Sequence, residues 1–215
     1  KTVALLMAGV ALFILTVVFF VLHQSPISDD ELVYEFQTRI FANGRLWLDS
    51  KPGDDALFED NIFLVNNGKI LGQYPFGQSF LLLIGYLLGF IRLTPLLLAV
   101  LSIWGAYLLG KELYGHRGGL LTALLIAVSP MFLFTSSTLL SHTSALFFLI
   151  WFAYFGVKTV RYEGLLNPIL CGLAFGAAFH VRGATTLLVA GPAALALAVL
   201  MFIHPKKNLG KILCL

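Results

Sequence analysis

The run YPFGQSFLLLIGYLLGFI, residues 74–91, is apolar enough to enter a membrane, yet Gly77, Gly85 and Gly89 interrupt it. A helix needs about 20 apolar residues to cross roughly 30 Å of hydrocarbon. Six other uncharged runs meet that need better: 3–22, 93–110, 118–135, 141–157, 164–181 and 183–203. Whether 74–91 crosses the membrane or lies in it without crossing therefore sets the sidedness of all the others.

Charge counting weighs the options. With 74–91 not crossing and the N-terminus cytoplasmic, Lys1, Lys111, Arg117, Lys158, Arg161, Lys206, Lys207 and Lys211 fall inside. Arg39, Arg45, Lys51, Lys69, Arg92 and Arg182 fall outside, which gives 8 against 6. If the run crosses from the same start, the count is 3 against 11, contrary to the excess of Lys and Arg expected on the cytoplasmic side. If it crosses with the N-terminus outside, the count is 11 against 3, the best of the three by charge alone.

Composition bounds the class. The chain is 59% hydrophobic and 12% charged, with a mean hydropathy of +0.89. A soluble domain carries about 45–50% apolar and about 25% charged residues. Apolar segments continue to the C-terminus, so the first is not a signal peptide ahead of a soluble chain. The expected fold is all-α: a polytopic transmembrane helix bundle, one membrane domain over residues 1–215, read as the N-terminal part of a longer protein. Residues 23–75 form an extended first external loop within it, carrying amphipathic surface helices. Cys171 and Cys214 make no CxxC or Cys/His cluster, so neither a disulfide framework nor a structural zinc site is supported. The net charge of +3 is scattered, which argues against a nucleic-acid partner.

Nine of the eleven acids lie in 23–75: Asp29, Asp30, Glu31, Glu35, Asp49, Asp54, Asp55, Glu59 and Asp60. Three of them are consecutive just after the first apolar run, in SPISDDELVYEF, residues 25–36. Ser28 followed three residues later by Glu31 reads as a capping box. Leu32, Phe36 and Ile40 recur every fourth residue, widened by Val33 and Phe41, and Asn43-Gly44 supplies a stop. The pattern predicts a surface helix over 29–43 with its apolar stripe on the membrane. Acids in a first turn also favour the helix dipole, so the cluster has a purely structural reading. Its position at a span exit, level with lipid headgroups, points to chemistry.

Taken in order, the motifs resemble the large-fold (GT-C type) membrane glycosyltransferases, which include the protein O-mannosyltransferases and the aminoarabinose transferases that modify lipid A. After the first run comes the acidic pair, then Tyr34 and Asn43-Gly44-Arg45-Leu46. Gln73-Tyr74-Pro75-Phe76-Gly77 is similar to the family's Tyr-Pro-Pro-Gly-type stretch, and Gly110-Lys111-Glu112-Leu113-Tyr114-Gly115-His116-Arg117 to its basic cytoplasmic turn. Ser129-Pro130 closes a span, and Gly172-Leu173-Ala174-Phe175-Gly176 leads to His180-Val181-Arg182-Gly183. The resemblance implies that Asp30 is the catalytic carboxylate, with Glu31 as its partner and Asp29 as a neighbour that leaves the register open by one residue. It also places the acidic pair and the loop after Ser129-Pro130 on one external face, which selects the 8-to-6 arrangement with 74–91 not crossing.

The implied reaction moves a sugar from a polyprenyl-phosphate donor to a hydroxyl on a lipid, glycan or protein acceptor. It would take place at the external face of a multi-pass protein of the plasma or inner membrane, in contact with membrane lipid. A carboxylate must take the hydroxyl proton and a cation must stabilise the departing phosphate. Asp30 suits the first task. Arg182 suits the second through its planar fork, or else it merely reaches to headgroups. His142 follows Ser136-Ser137-Thr138-Leu139-Leu140-Ser141, where many relatives carry an acid. It could position the acceptor, relay a proton or ligate a divalent metal beside Asp30, or simply hydrogen-bond to the nearby hydroxyls. Tyr74 and Gln73 could line the substrate pocket, and Tyr74 equally fits an interfacial aromatic belt with Pro75 opening a helix. Gly172 and Gly176 read as a close-packing pair. No phosphate-binding glycine loop is present, so a soluble-type nucleotide-sugar donor is not supported. The rival readings are a transporter or flippase, disfavoured because the runs are nearly free of ionisable groups, and a non-catalytic assembly subunit with the acidic loop as its docking surface.

Overall fold

The computed structural model describes residues 1–51 and 63–203, and side chains up to residue 199. Asp54, Asp55, Glu59, Asp60, Lys206, Lys207, Lys211 and Cys214 lie outside the described residues. The chain is an all-α bundle of apolar helices with a small three-stranded sheet. Four helices are long and apolar enough to cross a membrane: Thr2–Val21, Leu93–Ala127, His142–Arg161 and Leu166–Val199.

Helix α1 (Thr2–Thr16) runs into a π-helical turn, Val17–Val21. His23 and Gln24 then take left-handed backbone (φ 48° and 60°), which turns the chain sharply out of the helix. Helix α2 (Asp29–Ala42) follows. A three-stranded antiparallel sheet comes next: β1 (Leu48–Asp49), β2 (Phe63–Asn66) and β3 (Lys69–Gly72), ordered β1-β3-β2. Asn67 and Gly68, both at positive φ, close the β2–β3 hairpin, as a two-residue loop between twisted strands requires. This sheet lies within the segment 23–75, where only surface helices are expected from the sequence.

Residues 74–91 form helix α3 (Phe76–Leu87), 12 residues long. At 1.5 Å per residue it reaches about 18 Å, too short to span. It packs against α2 through a buried Tyr34, Leu82 and Leu139 cluster. Gly85 allows the chain to close on itself, since a Cβ there would sit 2.8 Å from the carbonyls of Phe90 and Ile91.

Two long helices are hairpins. Helix α4 (Leu93–Ala127) breaks at Gly115, whose φ of 74° and ψ of −174° leave the helical region. Its arms then lie back to back. Gly110 packs on Thr122, and a Cβ on Gly119 would meet the Tyr107 carbonyl at 2.6 Å. On a straight helix those pairs would stand roughly 18 Å apart. The 118–135 run is not one helix, because Ser129 caps a new one, α5 (Pro130–Ser136), with Pro130 at its first position. Helix α6 (His142–Arg161) leads to α7 (Leu166–Ile203), which breaks at Arg182 (φ −149°, ψ 79°). Cys171 and Ala190 share one buried cluster with Phe152, although a straight helix would hold them about 28 Å apart. The expected division at 181–183 is thus a reversal. Val10 and Ile14 of α1 and Val18 of the π-helical turn pack on Ala99, Ile103, Ala123 and Phe132 to form the main core. Large apolar side chains such as Leu5, Leu12, Phe20, Leu125 and Leu188 face outward, as lipid contact demands.

Three sequence expectations are corrected. The capping box does not form: Ser28 is the N-cap of α2 but its side chain makes no cap bond, and the Glu31 carboxylate turns inward to Leu139 and Arg92. The apolar stripe of α2 is rotated, with Leu32 46% exposed while Val33, Tyr34, Gln37, Thr38 and Phe41 are buried. The cause is that α2 rests on protein. Gln37 accepts from Gly72 N and donates to the Leu46 carbonyl, and Thr38 bonds the Ser79 carbonyl. Gly176 packs closely on nothing, since a Cβ there would meet no atom within 4 Å.

One buried ion pair ties these parts together. Glu31 is fully buried and Arg92 is 2% exposed, with Glu31 Oε2 3.5 Å from Arg92 Nη1. Arg92 also donates to the carbonyls of Ser137 and Ser25, both at 2.7 Å. Glu31 accepts from the amides of Leu139 and Ile27. Removing one partner of such a pair costs about 3–5 kcal/mol. Arg92→Met is therefore expected to lower the thermal unfolding temperature in detergent sharply, and Glu31→Gln to do the same. The double variant should lose less than the sum, because neither charge is then left alone. Full additivity of the two losses would show that the pair is not coupled.

Candidate functional site

One end of the bundle gathers residues far apart in sequence. Asp30 in the first turn of α2, Tyr74 just before α3, Ser141 at the cap of α6 and Arg182 at the tip of the α7 hairpin line one pocket of about 270 Å³. The opposite end gathers Lys1 to Ala4, Tyr107, His116 and Leu120, and the Glu112–Arg161 pair.

Tyr74 donates its phenol proton to Asp30 Oδ1 at 2.5 Å. The bonded carboxylate is the main reason that the phenol is pushed up to about 12, with burial adding to it. Tyr74 is thus a neutral donor at physiological pH. Its ring packs on Tyr34 with centroids 5.1 Å apart, and Tyr34 in turn donates to Ser141 Oγ at 3.1 Å. Burial pushes the Tyr34 phenol up as well. Asp30 is partly exposed on the pocket wall.

Arg182 turns into the protein and not out to the surface. Its Nη1 lies 3.5 Å from Ser141 Oγ and 3.0 and 3.2 Å from the two ring nitrogens of His142, and its Nε bonds Thr185 Oγ1 at 3.3 Å. A guanidinium only donates, so the imidazole accepts. Its Nη2 makes no hydrogen bond to a described residue. Gly77 sets the position of this tip. A Cβ on Gly77 would lie 2.5 Å from the His180 carbonyl and 2.9 Å from Val181 N, so the start of α3 touches the backbone just before Arg182.

The structure therefore brings Asp30, Tyr74, His142 and Arg182 together. It leaves Asp29 and Gln73 exposed at the margin and sends Glu31 into the interior, where it serves the Arg92 network. Among the described residues, no group of three or more His, Cys, Asp or Glu side chains is placed to hold a metal ion. The Arg182 guanidinium against the His142 ring opposes a second cation there, so these residues do not fit a metal at His142. Sequence reasoning missed Tyr34, Ser141, Gln78 and Arg92. Gln78 is fully buried and donates to the Leu139 carbonyl at 2.8 Å. The signal for it was a Gln inside an otherwise apolar run, a polar side chain that must find a partner.

Gly77→Ala would overpack this contact, at a cost of about 1–3 kcal/mol. The variant is expected to unfold at lower temperature, whereas Gly176→Ala, in open space, is expected to match the parent. Equal melting curves for the two variants would refute the close approach.

A family model described as dolichyl-phosphate-mannose-protein mannosyltransferase matches residues 75–215. The match begins at Pro75 and so contains Ser141, His142 and Arg182 but not the acidic cluster. No curated protein and no solved structure matches the chain.

Proposed function

The chain belongs to the dolichyl-phosphate-mannose-protein mannosyltransferase family of large-fold (GT-C type) membrane glycosyltransferases, and from that premise we propose that it moves a sugar from a polyprenyl-phosphate donor to a hydroxyl acceptor at the external face, with Asp30 as base. The observation that carries this reading is the shared pocket of Asp30 and Arg182, a carboxylate and a guanidinium supplied by opposite ends of the sequence.

The chemistry follows from the two groups. The acceptor oxygen attacks the anomeric carbon, and Asp30 takes the hydroxyl proton as the new bond forms. The bond from the anomeric carbon to the phosphate oxygen breaks, and its electron pair leaves with the lipid phosphate. Arg182 meets the charge that develops there, since a guanidinium matches phosphate geometry. Tyr34 and Ser141 hold Arg182 and the pocket floor in place.

Sidedness accompanies this reading. If α3 does not cross, the first arm of α4 crosses once, its second arm crosses together with α5, and each arm of α7 crosses once; with α1 and α6 this gives six crossings with the pocket outside. A transporter reading draws no support from the described residues, whose ionisable groups gather at the two ends. With single cysteines at Gln73 and Ala184, both exposed, and with Cys171 and Cys214 replaced, a membrane-impermeant thiol reagent on intact cells is expected to label both positions. Labelling of only one would separate the two halves of the pocket across the membrane and end the shared-site reading.

The catalytic assignment has its own test. Loss of a general base slows transfer by about 10²–10⁴-fold. Asp30→Asn is expected to lose turnover of dolichyl-phosphate mannose on that scale while keeping the parent melting curve. Asp29→Asn, on the exposed side, is expected to keep its rate. Intact transfer in Asp30→Asn would remove Asp30 from the mechanism.

A further inference from the structure

Resting on the assignment of Asp30 as base, we propose that Tyr74 is a positioning residue, which holds the Asp30 carboxylate by one oxygen and leaves the other free at the pocket wall for the acceptor hydroxyl. The Tyr74 phenol meets Oδ1 at 2.5 Å, while Oδ2 makes no hydrogen bond to a described residue. A carboxylate at the start of a surface helix can rotate about its side-chain torsions. One short, charge-assisted bond removes that freedom.

Tyr74 can do this because it is itself fixed. Pro75 caps α3 immediately after it. Its ring lies against Tyr34, whose hydroxyl is bonded to Ser141. Gly77, two residues on, is locked against His180 and Val181. The acid is therefore oriented by the same short segment that positions the Arg182 tip. The remaining charged and titratable groups around Asp30 are few. Asp29 is exposed and Glu31 is turned to Arg92 on its own helix. Tyr34 lies one helical turn on, and His142 and Arg182 face it from α6 and α7. Tyr74 is the one described group that donates a hydrogen bond to Asp30.

Tyr74→Phe keeps the ring and removes the donor. A 4-fluorophenylalanine at 74 fills the place of the hydroxyl without donating, and so separates the hydrogen bond from packing. With the protein in detergent and dolichyl-phosphate mannose as donor, both variants are expected to lose kcat, by up to about 10²-fold for a displaced reacting group, with KM little changed and the parent melting curve kept. A kcat equal to the parent's in both variants would overturn the proposal, and would do so even if Asp30→Asn is inactive. Intact transfer in Asp30→Asn would instead overturn the catalytic reading, and the positioning role with it. Should the Phe variant fail to fold, the fluorinated one decides alone.

Discussion

The buried pair of Glu31 and Arg92 is the constraint on which the pocket end of this bundle depends. Two charges removed from water need each other and need their remaining valences filled. Here backbone fills most of them, although the buried Arg92 Nε has no hydrogen-bond partner among the described residues. Ser25, Ile27, Ser137 and Leu139 contribute carbonyls or amides to the pair. These come from the exit of α1 and from the loop between α5 and α6, and Arg92 itself opens α4. Four chain segments that share no regular secondary structure are fastened at one point. The orientation of α2 follows, because Glu31 must face inward. Asp30, one residue before it and about 100° away around the helix, then faces the pocket.

That arrangement explains why adjacent acids have different fates. Asp29, Asp30 and Glu31 share a first turn and a common attraction to the helix dipole. Their environments separate them: Asp29 lies in solvent, Asp30 beside a tyrosine donor, and Glu31 in the protein interior. The family match supports a membrane glycosyltransferase, and the functional reading assigns the reacting role to the middle acid alone.

Much of the fold was legible in the sequence because its signals are long and uninterrupted. The apolar character of the bundle and the helix over 29–42 follow from hydropathy and spacing, whereas the non-crossing reading of 74–91 comes from the ordered motifs, against the count of charges. The gathering of Asp30, Tyr74, His142 and Arg182 followed from the ordered motifs, not from any local pattern. What could not be read has a common cause. The capping box, the face of α2 and the role of Arg92 were each decided by partners tens of residues away, such as Leu139 for Glu31 and Ser79 for Thr38. Local propensity gives no access to such contacts. The β2–β3 hairpin is a different case, since its Asn67-Gly68 turn carried a short-range signal that the weight of apolar composition concealed.

The hairpin tip at Arg182 also bears on how the molecule is made. Chains emerge and fold from the N-terminus. The acidic helix, its tyrosine and the buried ion pair are complete once residues up to about 140 have entered the membrane. The cation side of the pocket arrives only when the α7 hairpin has turned at Arg182 and its returning arm has followed. On the proposed reading, the order of synthesis thus delivers the carboxylate of the pocket first and the group that meets the phosphate later.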